Sequence, residues 1–463
     1  MAKRTYAPFI QCAVICTATV VGLSLVGCNR VHGRVPGTPP DTLTIFYTCD
    51  TQGHIEPCGC ASGQAGGITR RMTYLNSQTF ASFLLLDAGD VTAGARDWEL
   101  FEMEYILKGY QKMGYHAVNA GHREASIKLS TLRELNDRYD FFVSTNLLDE
   151  KGDPVFPPYR IIDLDQNYRV GVLGVMADYI EGPEIGAGLK IMPPADAIAR
   201  HLPRLTAETD DIVLLAFVDE DEMKALAERF FEIDFIIGGN VLQPIRTPLK
   251  VNQSIIASIT DKGKAIGRLD IAFNDGNKTV STNDIFMLMD TMEEDPDVAE
   301  IVDEFKIKLA DMDFQPHRDD EEGLTTITAA RSKSANRYIE AQTCRQCHPK
   351  AFNAWRNSKH AHSFKSLIDR GHQFNPRCLT CHTVGYGASD GYINQRLTPT
   401  LGEIACGNCH GRGDYHARFH AGDDVPQRAA RLKSIDCLSC HDPENSPDFN
   451  LETYWEIIKH DKE

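Results

Sequence analysis

The chain has 463 residues, 42% of them hydrophobic and 24% charged. That is long enough for two or three domains and too mixed for wholesale disorder or a polytopic membrane protein. A formal net charge of −17 excludes a basic phosphate-binding surface and, with it, nucleic acid as a partner. An acidic surface suits solvation and encounters with basic patches on other proteins.

At the N-terminus, Lys3 and Arg4 precede an apolar run from Ala7 to Val26, a pattern that reads as a processing signal. Its end, Leu25-Val26-Gly27-Cys28, resembles the lipobox of bacterial lipoproteins. The resemblance implies removal of residues 1–27, diacylation of the Cys28 thiol and anchoring to a membrane by lipid. An ordinary signal peptide or an N-terminal anchor helix is the alternative, and all of these take the chain out of the cytoplasm. Asn29 stands where the lipoprotein pattern carries Asp for inner-membrane retention, so the periplasmic side or the surface of the outer membrane is the expected location. Residues 28–41 are rich in Pro and Gly and read as a tether. No other stretch is long and apolar enough to span a bilayer.

Residues 42–292 alternate between strand-like and helix-like runs. Strands are expected at Leu43–Tyr47, Phe83–Leu86, Phe141–Ser144, Val170–Met176, Ile212–Phe217 and Phe235–Ile237, with helices such as Leu100–Met113 and Ala195–Leu205 between them. Two late runs, Ile255–Ile259 and Ile266–Phe273, suggest a sheet that finishes antiparallel. The pattern is that of an α/β layered domain. Residues 293–340 combine a helix with a polar linker; Val298, Ile301, Val302, Phe305 and Leu309 form one apolar stripe on the helix. Residues 341–463 have few strand-like runs and read as a small, mainly helical domain.

Fourteen cysteines fall into four groups. Cys12 and Cys16 belong to the signal, Cys28 is the lipidation position, and Cys49, Cys58 and Cys60 come early in the mature chain. The rest form four C-x-x-C-H motifs: Cys344–Cys347–His348, Cys378–Cys381–His382, Cys406–Cys409–His410 and Cys437–Cys440–His441. Two thiols three residues apart reach the two vinyl groups of one haem, and the next residue places an imidazole under the iron. Zinc knuckles and thioredoxin-like dithiols share the C-x-x-C spacing but do not need a His after every second Cys. Four covalent c-type haems, with His348, His382, His410 and His441 as proximal iron ligands, are therefore expected. With so few residues per haem, the macrocycles themselves are expected to form most of this domain's core.

Two resemblances extend this reading. The first strand leads into Asp50-Thr51-Gln52, and later come Gly66-Gly67-Ile68-Thr69-Arg70-Arg71 and Asp87-Ala88-Gly89-Asp90. This order resembles the metallophosphatase domain of periplasmic 5′-nucleotidases over about residues 43–290. Asp50 and Asp90 match that family's metal-binding aspartates. Gln52 replaces its first His, Gly121-His122-Arg123-Glu124 places Arg123 at the catalytic His, and Gly238-Gly239-Asn240-Val241-Leu242 lacks the two late His ligands. The strand Leu214–Val218 also lacks its His. A two-metal phosphatase needs a full ligand shell to activate water, so phosphatase activity is expected to be lost. In its place, Cys58 and Cys60 flank Gly59 in the loop after the first strand, a pair that resembles a loop in extracytoplasmic nucleotidase-like (seleno)proteins. The resemblance suggests a redox-active dithiol with Cys49 as a resolving thiol; the alternatives are a passive disulfide or a single soft-metal site.

The segment 341–463 resembles the tetrahaem cytochrome c-554 family in four ordered pieces: the stretches that follow Cys347-His348, Cys381-His382, Cys409-His410 and His441. That resemblance points to His360, His416 and His460 as distal ligands, each serving a neighbouring haem; His362, His372 and His420 are weaker candidates. The resulting expectation is a lipid-anchored tetrahaem electron carrier, exchanging electrons with other redox proteins or with an outer-membrane electron conduit. The alternatives are a multihaem oxidoreductase acting on a small nitrogen or sulfur compound, and a haem-fed thiol oxidoreductase using Cys58 and Cys60.

Overall fold

The computed structural model describes residue 34 and residues 36–58, 64–179, 182–260, 262–274, 277–312, 314, 336–433, 436–443 and 445–460. The signal segment, Cys28, Cys60 and most of the polar linker lie outside the described residues, as does the side chain of Cys58. Residues 36–463 pack as one unit.

Strands that are apolar at every position bury both faces. In Asp211–Phe217, Val213, Leu215 and Phe217 point into one core, while Ile212, Leu214 and Ala216 point into another. The period-two alternation of a strand makes this division, and it assembles four layers. Two six-stranded sheets face each other across the first core. The helices Ile68–Ser77, Asp97–Met113 and Pro296–Met312 pack together and bury their apolar residues in the core of the first sheet. The helices Pro194–Glu208 and Glu220–Arg229 cover the outer face of the second.

The first sheet runs in the order Asn277–Met287, Ala265–Asn274, Thr42–Thr48, Ser82–Asp87, Ala117–Asn119, Phe142–Val143. Thr42–Thr48 is parallel to Ser82–Asp87 and antiparallel to Ala265–Asn274. The second sheet runs Leu249–Val251, Ser254–Ser258, Phe235–Gly239, Asp211–Phe217, Arg169–Met176, Tyr159–Asp163. The antiparallel ending expected from the late runs is present at the edge of each sheet: Leu249–Val251 is antiparallel to Ser254–Ser258, and Asn277–Met287 to Ala265–Asn274. The two late runs lie in different sheets: Ser254–Ser258 is parallel to Phe235–Gly239 on its inner side, and Ala265–Asn274 is antiparallel to Thr42–Thr48. The strand near Phe141 is also shorter than its apolar run, because only Phe142 and Val143 pair with Ala117–Asn119.

The stripe on Pro296–Met312 buries Val298, Val302, Phe305 and Leu309 in the first core, with Ile301 packed at its edge. This helix therefore belongs to the N-terminal region. Phe314 follows it and meets Phe101, with ring centres 5.6 Å apart.

Beyond residue 336 the elements are short helices and turns. One apolar cluster of nine buried residues holds this region: Ala341, Phe352, Phe364, Leu367, Leu379, Val384, Tyr392, Leu401 and Ala405. None of the nine lies after Ala405, although Cys406 packs against them. The last helix, Leu451–Ile458, buries none of its residues although Tyr454, Trp455 and Ile457 are large and apolar.

Candidate functional sites: a modified crevice and a histidine array

The N-terminal crevice lies at the carboxyl ends of the parallel strands, where open α/β sheets place their ligands. Asp50 and Asp90 follow Thr42–Thr48 and Ser82–Asp87, and both adopt left-handed backbone angles, with φ of 53° and 58°. These are conformations that non-glycine residues hold only under constraint from their surroundings. Here the constraint is a backbone lattice: the Asp50 amide donates to Gly89 O at 2.9 Å, and the Gln52 amide to Asp90 O at 2.9 Å.

Around these aspartates stand groups that do the work of counter-ions. The Arg123 amide donates to Asp90 Oδ1 at 2.9 Å, and its guanidinium Nε lies 3.3 Å from Asp90 Oδ2. Gln52 Nε2 donates to Asp50 Oδ1 at 3.2 Å. Glu124 is fully buried and accepts from the amides of Asp90, Thr92 and Gly121, so both its oxygens are engaged in holding loops. Burial pushes the Asp90 carboxyl well above the usual carboxylate range, with the like charge of Glu124 adding to the effect. His122 lies against Phe217, with its Nε2 3.2 Å from Ala177 O, and burial lowers its pKa. Among the described residues, no three His, Cys, Asp or Glu side chains converge as a metal cage.

The structure corrects the expected role of Cys49. Its side chain is buried, its thiol donates to Gly89 O at 3.4 Å, and burial drives its pKa up. A Cβ added at Gly239 would lie 2.1 Å from its sulfur, so the thiol is packed into the crevice floor rather than presented as a resolving group. Cys58 closes the short strand Pro57–Cys58; Cys60, the other half of the pair, lies outside the described residues.

Below Asp50 runs a buried polar network. Arg71 is fully buried and donates from Nη1 to the Tyr110 and Tyr115 hydroxyls at 2.9 and 3.0 Å, and from Nη2 to Thr51 Oγ1 at 3.2 Å. Tyr110 in turn donates to Asp87 Oδ2 at 2.9 Å. One guanidinium thereby joins the first two strand ends.

In the C-terminal region, histidines far apart in sequence face one another. His348 and His416 have ring centres 6.1 Å apart, His441 and His360 6.1 Å, and His410 and His460 5.9 Å. One metal ion between two imidazoles, with metal–nitrogen bonds of about 2 Å and ring nitrogens roughly 1 Å from each centre, demands a separation of about 6 Å. The residues present therefore fit an axially coordinated iron at three places. The thiols cluster in the same way: Cys344 is hydrogen-bonded to Cys406, Cys381 to Cys440, and Cys409 lies near Cys437 and Cys440. The first motif thus adjoins the third, the second adjoins the fourth, and the third adjoins the fourth.

His382 differs from the other three. Its Nδ1 is 3.0 Å from Ser363 O, the kind of contact that orients a ring for ligation through its other nitrogen. Among the described residues, no second imidazole faces it in the way the other three pairs face each other. Of the weaker distal candidates, His420 lies 4.7 Å from His416 on the same helix, Asp414–His420, while His362 ends the short 3-10 helix Lys359–His362. His372 has its Nδ1 3.5 Å from Glu56 in the N-terminal region and is also close enough to His382 for the two rings to interact.

With this geometry in place, the likenesses divide along the same line. Residues 343–411 match the family model of cytochrome c554 and c-prime, a span that contains the first three C-x-x-C-H motifs. The snake venom 5′-nucleotidase of Gloydius brevicauda is 25% identical over 336 residues, covering 64% of this chain and 56% of the relative. The 5′-nucleotidase of Vibrio cholerae is 25% identical over 299 residues, covering 55% and 53%. The chain thus spans about half the length of the curated relatives it matches. Among solved structures, the 5′-nucleotidase precursor of Thermus thermophilus superposes with a TM-score of 0.51 at 21% identity, covering 60% of this chain and 61% of that one. The Thermus thermophilus sulfate thiohydrolase SoxB does so with 0.51 at 20% identity, covering 60% and 63%. The N-terminal region is 5′-nucleotidase-like. The matched C-terminal segment implies covalently bound c-type haem.

One contact joins the 5′-nucleotidase-like region to the cytochrome region in a way no motif signalled. Arg377, the residue before Cys378, donates from Nη2 to Glu102 Oε2 at 2.7 Å and lies 3.4 Å from Gln52 O, with the Trp98 ring 5.7 Å away. Glu102 is buried on the helix Asp97–Met113. Gly53, at φ +76°, leaves the room: a Cβ there would fall 2.6 Å from Arg377 Nη2 and 2.5 Å from Glu102 Oε2. Glu56 adds a second tie: it pairs with Lys306 inside the N-terminal region and lies 3.5 Å from His372 Nδ1 in the other. The only sequence signal was a positive residue beside a haem motif, and such residues are usually solvated.

Proposed function

We propose that the chain is an extracytoplasmic electron-transfer protein whose C-terminal region carries four covalent haems. The thioethers form at Cys344 and Cys347, Cys378 and Cys381, Cys406 and Cys409, and Cys437 and Cys440, with His348, His382, His410 and His441 as proximal ligands. The observation that carries the reading is the set of three imidazole pairs near 6 Å: His348 with His416, His441 with His360, and His410 with His460. Each pair joins a proximal His to a residue that follows a different motif, so the iron sites stitch the motifs together. Saturated irons of this kind supply one-electron transfer and little else. The adjacency of the thiols favours a continuous chain in which the second motif adjoins the fourth, the fourth the third, and the third the first.

In this reading the 5′-nucleotidase-like region no longer hydrolyses phosphate esters. Gln52 stands at one ligand position, and Arg123 places a fixed cation on Asp90, leaving too few donors to hold two metal ions and activate a water between them. Lipidation at Cys28 would hold the whole assembly at a membrane, where other redox proteins or an outer-membrane conduit exchange electrons with it.

Full-length protein matured with haem tests the proposal. Peptide mass should show haem on all four motifs, and visible and EPR spectra should show three low-spin bis-histidine centres. A peptide from any motif that remains unmodified, or low-spin signals that survive exchange of His360, His416 and His460 for Ala, would sink it. A second reading rests on the lone environment of His382: an iron held there from one side is open to a small ligand, which is the basis for oxidoreduction of a small nitrogen or sulfur compound. A high-spin signal that disappears on adding nitric oxide supports that reading, and four low-spin signals exclude it.

A further inference from the structure

We infer that the Arg377–Glu102 ion pair makes the 5′-nucleotidase-like region a positioning platform that sets the electrostatic environment, and hence the reduction potential, of the second haem motif. The inference rests on the proposed haem at Cys378 and Cys381. Arg377 immediately precedes Cys378 on the attachment helix, so its charge is tethered one residue from the attachment thiol. It is held at 2.7 Å by a carboxylate that is itself buried, and its second nitrogen contact is a backbone oxygen of the crevice loop. The attachment helix Pro376–His382 is therefore seated on the loop that, in the nucleotidase-like fold, follows the first strand.

Charge in a low-dielectric setting acts strongly over such distances, because solvent screens it little. His382 of the motif has Glu403 and Arg370 of its own region and the ring of His372 around it. His372 leads on to Glu56 and its partner Lys306, while Arg377 and Glu102 pair beside the motif's first residue. In the pair itself the cation is nearer the attachment site along the chain and the anion lies behind it. Reduction adds an electron to the haem, so a nearby positive charge favours the reduced state and a nearby negative charge opposes it. The two members of the pair therefore have opposite effects, and their joint presence keeps them balanced.

Redox titration of the full-length haem-loaded chain, read by visible and EPR spectra, separates these roles. In E102Q, one midpoint potential rises while the rest stay in place. In R377Q, the same midpoint falls. R377K keeps the charge and leaves that midpoint close to the parent's even if the seating loosens, which protects the test against a variant that merely folds less well. Shifts in the same direction for E102Q and R377Q, or no shift in either, overturn the inference. Absence of haem from the Cys378–His382 peptide of the parent chain overturns the underlying proposal of haem attachment instead.

Discussion

Between residues 42 and 314 the chain fills its own interior: two six-stranded sheets and the six α-helices described around them bury Leu, Ile, Val and Phe, with strand faces that alternate between two cores. Between residues 336 and 460 it does not. Nine buried residues make up the cluster there, none later than Ala405, and the closing helix leaves its aromatic and aliphatic side chains exposed. The first region has the surface to fold on hydrophobic burial, and the second has a His and Cys framework that needs something to close upon. The contrast separates stability that comes from a polypeptide core from stability that a prosthetic group must supply.

The largest test of this comparison is to deny the second region one of its groups. Exchange of Cys406 and Cys409 for Ala should leave the N-terminal region folded but expose residues after 336 to protease, as followed by limited proteolysis and fragment mass. If the C-terminal fragment stays protected, the cytochrome region has more core of its own than its side chains indicate.

In the self-sufficient region the expected cost is that of a cavity. Leu215→Ala, at a fully buried position between the sheets, should lower unfolding free energy by about 2–5 kcal/mol in denaturant titration. Haem absorbance should be unchanged in the native state. A cost below about 1 kcal/mol would mean that the sheets close over the gap, against the packing expected of such a core.

A smaller effect is expected from the buried polar network. Arg71→Met keeps much of the volume and removes a donor from the Tyr110 and Tyr115 hydroxyls, which keep their bonds to Asp87 and Thr48, so the cost should be about 1–3 kcal/mol in all. Denaturant titration would again report the change, and a neutral result would show that the tyrosines find other partners.

The smallest effect is a pH dependence. His116 Nδ1 accepts from the Leu85 amide at 3.0 Å, and burial lowers the pKa of the ring, so the folded state holds it neutral. A base depressed in the folded state contributes its full stability above the unfolded value, about 6.5 for His. That contribution falls as pH drops below this value, because the unfolded chain then binds a proton that the folded chain resists. The slope from this residue should not exceed about 1.4 kcal/mol per pH unit, and His116→Gln should flatten it in thermal melts between pH 7 and 5. An unchanged slope would assign the acid sensitivity to other groups.

Much of the N-terminal fold could be read from its strands, because a doubly buried strand must be apolar throughout and the runs at Val170, Ile212 and Phe235 are. The late strands gave their antiparallel ending but not their partners, because an apolar run shows that a strand is buried but not which neighbour it joins. Thus Ser254–Ser258 is parallel inside the second sheet, while Ala265–Asn274 is antiparallel in the first. At the crevice, the absence of His residues was plain in the sequence, whereas the role of Arg123 as a cation on Asp90 depended on bringing two loops together.

By itself the sequence determined whatever is local and covalent. Thiols three residues apart with a His beside them can reach one haem whatever the rest of the chain does, and a period-two apolar run makes a strand. Only the tertiary structure decided which histidines face each other across 68, 81 and 50 residues, as His348 with His416, His360 with His441 and His410 with His460. It alone left His382 with a backbone oxygen and seated Arg377 on Glu102. The physical reason is that a facing pair depends on the path of all the chain between its members, and no spacing rule carries that information.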